Sequence, residues 1–408
     1  MRKLGMAVSS VVVSAAVAAA TAPAALAAGD AVQGPALQAP LQVKTLGWLA
    51  NGEPRVTNGS PTGLSPSQLA AVYGLSGLSS TSTDGSGQII AIVDAYHDAN
   101  ALADLNKWNA QYGYPQLTTC KSLTQSGACF EQVYPQGKPA VNSGWALEES
   151  LDIEWARAEA PGAKIVLVEA ANSSDADLFG AVKVAGNGGA SEVSMSWGGA
   201  EFRGETALDS DMSHAGTLYT VSAGDQGHQA EYPAASPNAI AVGGTTLNGC
   251  NGVSCAGFSS ETVWSGSGGG TSAYEAIPSY QLAYGGPVFG AATISALTGS
   301  KRGIPDVSFD ANPNTGVSVY DSTTYQGQSG WFTLGGTSVG APNWAGILAA
   351  GRSAGATTLE GDAAIYGGGY QSNLRDIAAG TNGSCGTKCT AGAGYDLITG
   401  LGSPINYP

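Results

Sequence analysis

The chain has 408 residues, enough for one large domain with a substantial core or for two ordinary domains. Its hydrophobic fraction of 43%, with 60 glycines and only 12% charged residues, indicates a folded chain with many tight turns and argues against disorder. The 31 acidic and 16 basic residues give a net charge of −15, which argues against nucleic acid or an anionic membrane as a partner.

The first 28 residues have the pattern of an export signal. Arg2 and Lys3 precede a short apolar stretch, residues 6–20, and the small residues 24–28 offer a cleavage site. A membrane anchor is the alternative, but the stretch is short and alanine-rich, and no later segment is long and apolar enough to span a bilayer. We therefore expect a cleaved signal peptide at 1–28 and a secreted protein.

Short apolar runs alternate with helical stretches in most of the remaining chain. Residues 29–61 are rich in proline and glycine and are interpreted as a short pro-segment or linker, followed by one domain over 62–408. Strands are predicted near 88–94, 164–168, 192–197, 217–222 and 239–242, and helices near 101–111 and 175–185. This alternation predicts an α/β fold with a mainly parallel sheet covered by helices on both faces.

The six cysteines form an even set, which in an exported chain indicates disulfides. Fifteen pairings are possible. We favour the three that are local in sequence: Cys120–Cys129, Cys250–Cys255 and Cys385–Cys389. Metal binding is the alternative, but no C-x-x-C pair or nearby histidine supports it.

The segment around Ser338 has the features of a nucleophile turn. It follows an apolar run, residues 331–334, and precedes a helical run, residues 343–350. Ser338 is therefore predicted at the amino end of a helix, where free backbone N–H groups can stabilise an oxyanion. A serine that caps a helix in a glycine-rich turn is the alternative interpretation.

The histidines constrain which base can serve Ser338. They are His97, His214 and His228, and all precede the serine. The G-x-S-x-G pattern around Ser338 matches the nucleophile elbow of α/β-hydrolases, but those enzymes place their histidine after the serine. A subtilisin order starting at Asp94 is formally possible, yet none of the histidines lies in a glycine-flanked, helix-opening segment. We interpret all three as surface or satisfied polar residues, so the serine needs another base.

Two carboxylates offer such a base. Glu148 and Asp152 lie four residues apart in a helical stretch that residues 160–162 (Ala-Pro-Gly) end. They share one helix face, where two carboxylates raise each other's proton affinity and can share a proton. A solvated acidic face is the alternative.

These segments together resemble the sedolisin family of serine-carboxyl peptidases. The family's E-x-x-x-D helix followed by A-P-G is matched by residues 148–162, its S-x-G-D-x-G by residues 222–227, and its G-T-S-x-x-x-P by residues 336–342. Weaker matches at 194–198, 264–270 and 305–307 occur in family order, so the resemblance spans roughly residues 62–404.

The resemblance implies a subtilisin-like three-layer α/β/α sandwich and a secreted endopeptidase, a monomer, acting on proteins or peptides. Glu148 would be the general base for Ser338, Asp152 would orient it, and Asp225 would donate a hydrogen bond to the oxyanion. An aspartate donates only when protonated, whereas the glutamate must be ionised, so we expect an acidic optimum.

The resemblance also implies two further roles. Asp94 would extend the carboxylate chain and Trp197 would line the site; a purely structural role is the alternative for each. A secreted esterase, a subtilisin-like hydrolase and a catalytically silent binding relative are the alternatives in function.

A calcium site is expected near the carboxyl terminus. Asp376 and Asp396 lie in an irregular glycine-rich stretch, and hard oxygen ligands suit calcium. The resemblance implies one structural ion, held also by the carbonyls of Ile377, Gly392 and Gly394, away from the chemistry. An ordinary Asx turn is the alternative, and the Cys385–Cys389 bridge would lie within the same loop.

The chain departs from the family in its amino-terminal part. Sedolisins are usually made with a long folded pro-domain, whereas only about thirty residues separate the predicted signal peptide from the predicted domain. The resemblance therefore does not extend to the family's self-inhibition and self-cleavage. The short segment would act as an inhibitory strand, or the domain would fold unaided.

Overall fold

The computed structural model describes residues 59–75, 83–122, 124–284, 294–355, 365–367 and 373–405, together with the backbone of 42–43. The predicted signal peptide and most of the predicted pro-segment lie outside the described residues. By its contacts the chain divides into a short unit, Met1–Gln33, and a large unit, Gly34–Pro408. All described residues belong to the large unit.

Seven α-helices and seventeen strands lie in the described residues. The helices are α1 (Pro66–Tyr73), α2 (Ala101–Tyr112), α3 (Ser143–Glu159), α4 (Asp175–Asn187), α5 (Ser279–Ala283), α6 (Ile294–Thr298) and α7 (Gly340–Ser353). The strands are β1 (Gln42–Val43), β2 (Ile89–Ala95), β3 (Phe130–Val133), β4 (Lys164–Ala170), β5 (Glu192–Met195), β6 (Gly199–Ala200), β7 (Leu218–Ser222), β8 (Glu231–Tyr232), β9 (Ile240–Asn248), β10 (Ser260–Val263), β11 (Gly270–Ala276), β12 (Lys301–Ile304), β13 (Val307–Asp310), β14 (Val317–Tyr325), β15 (Gln328–Gly335), β16 (Leu374–Arg375) and β17 (Ser403–Pro404). The predicted strands and helices all correspond to elements of this series.

The central sheet has eight strands. Seven run in the order β10-β9-β7-β5-β2-β4-β3, and β13 also pairs with β9. Every pairing in this sheet is parallel except that of β9 with β10. The predicted mainly parallel sheet is confirmed.

Alternate side chains of β2 belong to two different cores. Ile90 and Ile92 pack in a cluster that includes residues of α2, α3 and α7, whereas Ala91 and Val93 pack in a cluster that includes residues of α4. Because successive side chains of a strand point to opposite faces, helices cover both sides of the sheet. This confirms the three-layer α/β/α sandwich.

Helix α3 is buried along almost its whole length. Its first turn is capped by Asn142, whose side-chain oxygen accepts hydrogen bonds from the N–H groups of Gly144 and Trp145. The helix ends just before Pro161, and it packs against α7 and β14 as well as the sheet. The acidic face of α3 is therefore enclosed by protein.

The turn before α7 requires glycine. Gly336 has a φ of 114°, in the region that favours glycine, and leads into a 3-10 turn over Thr337–Val339. A Cβ on Gly340 would lie 2.5 Å from a methyl group of Val242. The predicted strand-to-helix turn is confirmed, with Ser338 immediately before α7.

The three predicted local disulfides, Cys120–Cys129, Cys250–Cys255 and Cys385–Cys389, are all present. Within the residues described, none of the helices combines the length and apolar character needed to cross a membrane.

Candidate active site

The side chain of Ser338 is fully buried against α3. Its hydroxyl faces the carboxyl group of Glu148 closely enough to lower the pKa of that group, but the two form no hydrogen bond in this structure. Both side chains are held by rigid elements, Glu148 by the third helix and Ser338 by the turn into α7. The structure thus brings the predicted nucleophile and the predicted base together.

Three carboxyl groups interact at this point. Asp94, at the end of β2, influences the pKa of both Glu148 and Asp152, and all three residues are fully buried. Burial is the main cause that raises each pKa, to about 8 for Asp94, and the neighbouring carboxylates raise it further. Groups coupled this closely release their protons as a set, and the set can hold a shared negative charge.

Ser196 connects this cluster to the serine turn. Its hydroxyl donates to Oδ1 of Asp152 at 2.9 Å and also lies 3.4 Å from the carbonyl oxygen of Ser338. This bond lowers the pKa of Asp152, against the effect of burial. Asp152 is therefore oriented by a serine that sequence reasoning did not assign to the site.

Asp225 is hydrogen-bonded to Thr337, the residue before Ser338. Its Oδ1 accepts hydrogen bonds from the N–H and the hydroxyl of Thr337, whereas its buried Oδ2 has no hydrogen-bond partner in the described part of the chain. Burial raises the pKa of Asp225 to about 8, in spite of the bonds from Thr337. A protonated Oδ2 is the form this environment favours, and such a group can donate a hydrogen bond.

Two acidic residues near the site were missed by sequence reasoning. Glu149 is fully buried next to the base, and its carboxyl oxygens form no hydrogen bonds with the described residues. Glu231 is 6% exposed and also raises the pKa of Asp225, and a Cβ on Gly224 would lie 2.5 Å from its carboxyl carbon. Nothing in the local sequence of either residue distinguishes it from an ordinary surface acid.

The histidines take no part in this cluster. His97 pairs with Glu169 at 2.7 Å, and Nδ1 of His214 lies 2.7 Å from the hydroxyl of Tyr219. His214 fits the prediction of a satisfied polar residue, whereas His97 is paired at Nδ1 only, because its buried Nε2 has no hydrogen-bond partner among the described residues. His228 differs, because its half-buried ring has an Nδ1 without a hydrogen-bond partner among the described residues.

Trp197 is a core residue. It is fully buried, its indole N–H donates to the carbonyl oxygen of Val93 at 2.7 Å, and its ring packs edge-on against Phe179. The contact fixes the end of β2 just before Asp94. Its effect on the cluster is therefore through the backbone that carries Asp94.

The predicted calcium ligands come together in the carboxyl-terminal loop, residues 376–396. Asp376 accepts a hydrogen bond from the N–H of Gly394, and Asp396 accepts one from the N–H of Gly392. Burial raises the pKa of Asp396 to about 6 and raises that of Asp376, and neither forms an ion pair with a described residue. Two carboxylates that burial desolvates at least in part, in one loop with backbone carbonyls, offer the hard oxygen ligands that a divalent ion such as calcium prefers.

Part of this loop contacts the chain a few residues after Asp225. The carbonyl oxygen of Asn382 accepts a hydrogen bond from the N–H of His228, at 3.1 Å, three residues after Asp225. The folded chain brings residues 382 and 228 side by side, which no local sequence pattern indicates.

Comparisons with known proteins find similar sequences. The sequence model of the subtilase family matches residues 143–363, which include Glu148, Asp152, Asp225 and Ser338. Kumamolisin of Bacillus sp. (strain MN-32) is 33% identical over 395 residues, covering 86% of this chain and 64% of its own length. Sedolisin of Pseudomonas sp. (strain 101) is 26% identical over 383 residues, covering 85% of this chain and 60% of its own length. The chain thus spans somewhat less than two thirds of the length of these curated relatives.

Solved structures are also similar to this chain. Pseudomonas sedolisin, described as a serine-carboxyl proteinase complexed with two molecules of pseudo-iodotyrostatin, superposes with a TM-score of 0.65 at 27% identity, covering 85% of this chain and 96% of that one. A lanthipeptide protease shares the fold, with a TM-score of 0.52 at 14% identity over 84% of this chain and 91% of that one. The family match shows that this chain belongs to the subtilase family, within which it is similar to sedolisin and kumamolisin.

Proposed function

We propose that this chain is a secreted, acid-acting serine endopeptidase that hydrolyses peptide bonds in proteins through an acyl-enzyme on Ser338. The observation that carries the proposal is the contact of a buried serine hydroxyl with a cluster of buried carboxyl groups, with no histidine in the cluster. A carboxylate in this position can take a proton from the serine as it attacks. The relatives, named as sedolisin and kumamolisin, support the same chemistry.

In the first step, Oγ of Ser338 attacks the carbonyl carbon of the substrate and its proton passes to Glu148. The base must be ionised, so the cluster acts after it has lost one proton. Glu148, Asp152 and Asp94 then share the resulting negative charge. Asp152, held by Ser196, keeps Glu148 oriented toward the serine.

The attack places a negative charge on the substrate carbonyl oxygen. The protonated Oδ2 of Asp225 donates a hydrogen bond to it, while Thr337 holds Oδ1. Collapse of the tetrahedral intermediate breaks the peptide C–N bond, and the leaving amine takes the proton from Glu148. Water then attacks the acyl-enzyme, gives a proton to Glu148, and the serine leaves with that proton to restore the starting state.

The experiment is cleavage of a denatured protein near pH 4, with mass-spectrometric identification of the products. The wild-type chain should cleave internal peptide bonds, and Ser338→Ala should abolish this. Ser259→Ala, an exposed serine far from α3 in sequence, is the matched control and should keep full activity. Glu148→Gln should reduce the turnover at every pH by at least about 10²-fold, since an amide cannot accept the serine proton.

The other outcomes identify the alternatives. Hydrolysis of small acyl esters at neutral pH without peptide cleavage would identify an esterase. The absence of any Ser338-dependent hydrolysis in a folded chain would identify a binding relative. Either result would overturn the proposal.

We also propose that the carboxyl-terminal loop holds one structural calcium ion. Asp376 and Asp396 would supply carboxylate oxygens, and Ile377, Gly392 and Gly394 would supply backbone carbonyls. The ion would provide a positive charge beside buried Asp396 and half-buried Asp376, and it would take no part in the proton transfers.

A further inference from the structure

Residues 222–228, here called the Asp225 segment, are held at both ends by a single neighbouring turn. The N–H of Gly227 donates to the carbonyl oxygen of Gly266 at 2.9 Å, and the N–H of Gly268 donates to that of Gly224 at 2.6 Å. The position of Asp225 between these two bonds therefore depends on where residues 266–268 lie.

Asn382 connects both parts to the carboxyl-terminal loop. Its backbone carbonyl accepts from the N–H of His228 at 3.1 Å, and its side-chain Nδ2 donates to the carbonyl oxygen of Ser267 at 2.9 Å. The residue is 5% exposed, and a Cβ on Gly227 would lie 2.8 Å from its carbonyl oxygen. Asn382 thus holds the Asp225 segment directly and holds the turn that supports it.

The Cys385–Cys389 disulfide in turn holds Asn382. The N–H of Asn382 donates to the carbonyl oxygen of Cys389 at 3.1 Å, and the hydroxyl of Thr381 donates to the same oxygen at 2.6 Å. The backbone of Asn382 is therefore hydrogen-bonded to Cys389, the second cysteine of a disulfide whose two residues lie four apart in sequence.

The disulfide also contacts the Asp225 segment itself. A ring nitrogen of His228 and the two sulfur atoms all lie within 4.8 Å of one another. Gly383 fits between them, since a Cβ there would lie 2.9 Å from Sγ of Cys389 and 3.3 Å from Cβ of His228. Because the sulfurs are bonded to each other, they are packing partners of the histidine and leave no thiolate to bind a metal.

We propose that the Cys385–Cys389 disulfide is a positioning element of the oxyanion site, which acts on Asp225 through Asn382 and His228. The inference rests on the proposed function of Asp225. Opening the disulfide frees the backbone at Cys389, loosens Asn382, and allows the Asp225 segment to move away from the place where the oxyanion forms. Cys385 is exposed, so a thiol reductant in solution can reach the bond. The disulfide thereby makes turnover sensitive to the redox conditions.

The expected signature is a loss in kcat without a rise in KM. An oxyanion donor acts on the transition state and hardly at all on the bound substrate, so its misplacement leaves KM unchanged. Complete loss of such a donor costs about 10²–10³-fold in kcat, and displacement should cost about tenfold. A merely structural role would lower the melting temperature and the active fraction, which active-site titration would reveal, and would leave the kcat of the folded molecules intact.

The test compares three variants of the full chain in the presence of calcium. Cys385→Ser/Cys389→Ser and, separately, Asn382→Ala should each lower kcat about tenfold at unchanged KM. Cys120→Ser/Cys129→Ser is the matched control, since it opens another local disulfide, at the start of β3, and should keep the wild-type kcat. Mild reduction should lower the kcat of the wild type and of this control, reoxidation should restore it, and the Cys385→Ser/Cys389→Ser chain should not respond.

Three results would overturn the proposal: wild-type kcat in both the Cys385→Ser/Cys389→Ser and Asn382→Ala chains, an equal loss of kcat in the Cys120→Ser/Cys129→Ser control, or a rise in KM as the sole change. Failure of the proposed function looks different, because the wild-type chain itself would then cleave no peptide under oxidising conditions.

Discussion

The carboxyl group of Asp225 accepts two hydrogen bonds from Thr337, one from the backbone N–H at 2.8 Å and one from the hydroxyl at 2.9 Å. Both reach the same oxygen, Oδ1. The other oxygen, Oδ2, is left without a partner among the described residues and is the one that can carry a proton. The residue next to the nucleophile thus decides which oxygen of Asp225 is free to donate.

Replacing Thr337 with valine should move the alkaline limb of the pH–activity profile upward. Hydrogen bonds to a carboxylate stabilise its ionised form, so the hydroxyl lowers the pKa of Asp225. Without the hydroxyl that pKa rises, and the protonated donor persists to higher pH, by roughly half a unit to one unit. The measurement is kcat/KM against pH with an uncharged peptide. An alkaline limb that stays in place in Thr337→Val would show that Asp225 does not control it.

Replacing Glu231 with glutamine should shift the same limb in the opposite direction. The negative charge of Glu231 raises the pKa of Asp225, and the amide lacks that charge. The pKa of Asp225 therefore falls, and the donor is lost at lower pH, again by roughly half a unit. Asp211→Asn, which removes a charge that pairs with Lys183 elsewhere on the surface, is the control and should leave the limb unchanged. Shifts of the same sign in Thr337→Val and Glu231→Gln would contradict this account.

The parallel sheet could be predicted from the sequence because its strands are continuous apolar runs. The predicted strand at 88–94 corresponds to β2 (Ile89–Ala95) and that at 164–168 to β4 (Lys164–Ala170). The hairpin of β14 and β15 was largely missed, because β14 reads Val-Ser-Val-Tyr-Asp-Ser-Thr-Thr-Tyr and its second half is polar. Such a strand is stabilised by pairing with its neighbour and has little apolar signal of its own.

The candidate site could be predicted in its residue types but not in its environment. The four-residue spacing predicts that Glu148 and Asp152 share one helix face, but an acidic helix face is usually exposed to solvent. Their burial comes from β14 and α7, which lie far away in sequence and pack on α3 only after folding. The pairing of Asp225 with Thr337 spans 112 residues, and contacts of this kind follow from tertiary structure. The contacts of Asn382 with Ser267 and of Ser196 with Asp152 also join distant parts of the chain.

The stability of the fold should decrease as the pH rises from acidic to mildly alkaline values. Glu159, at the end of α3, is 3% exposed, and burial raises its pKa from 4.5 to about 8. Folding therefore favours the protonated form. The stabilising contribution is complete below about pH 4.5 and is lost as the pH rises through the folded value, about 8.

Glu159→Gln tests this directly, because the amide carries no charge at any pH. Its melting temperature should match that of the wild type at pH 4 and exceed it by about 2 °C or more at pH 8. Glu131→Gln, on the more accessible strand β3, is the control and should follow the wild type at both pH values. A wild-type melting temperature that rises from pH 4 to pH 8 would contradict the prediction.

Removal of calcium should lower both the melting temperature and the turnover. With no cation present, Asp376 and Asp396 are two desolvated carboxylates in one loop, and that loop carries Asn382. A chelator should therefore lower the melting temperature by several degrees, with recovery when Ca²⁺ is added and little recovery with Mg²⁺, which demands a smaller octahedral site. Asp376→Asn should weaken the calcium dependence. An equal response of Asp376→Asn and wild type to the chelator would show that the ion is bound elsewhere.

Release of the β1 segment should increase peptidase activity. Gln42 and Val43 pair antiparallel with Gly335 and Leu334 of β15, which runs directly into the turn of Ser338. Extended peptides bind to sheet edges through main-chain hydrogen bonds, so a strand already paired there competes with a substrate. A chain that begins at residue 59 should show a kcat/KM higher by roughly tenfold, the factor expected if the pairing blocks the edge for about nine-tenths of the time. Gln42→Pro/Val43→Pro in the full chain removes both N–H donors without shortening it and should give a similar rise. Equal activity of all three chains would show that β1 lies clear of the substrate path.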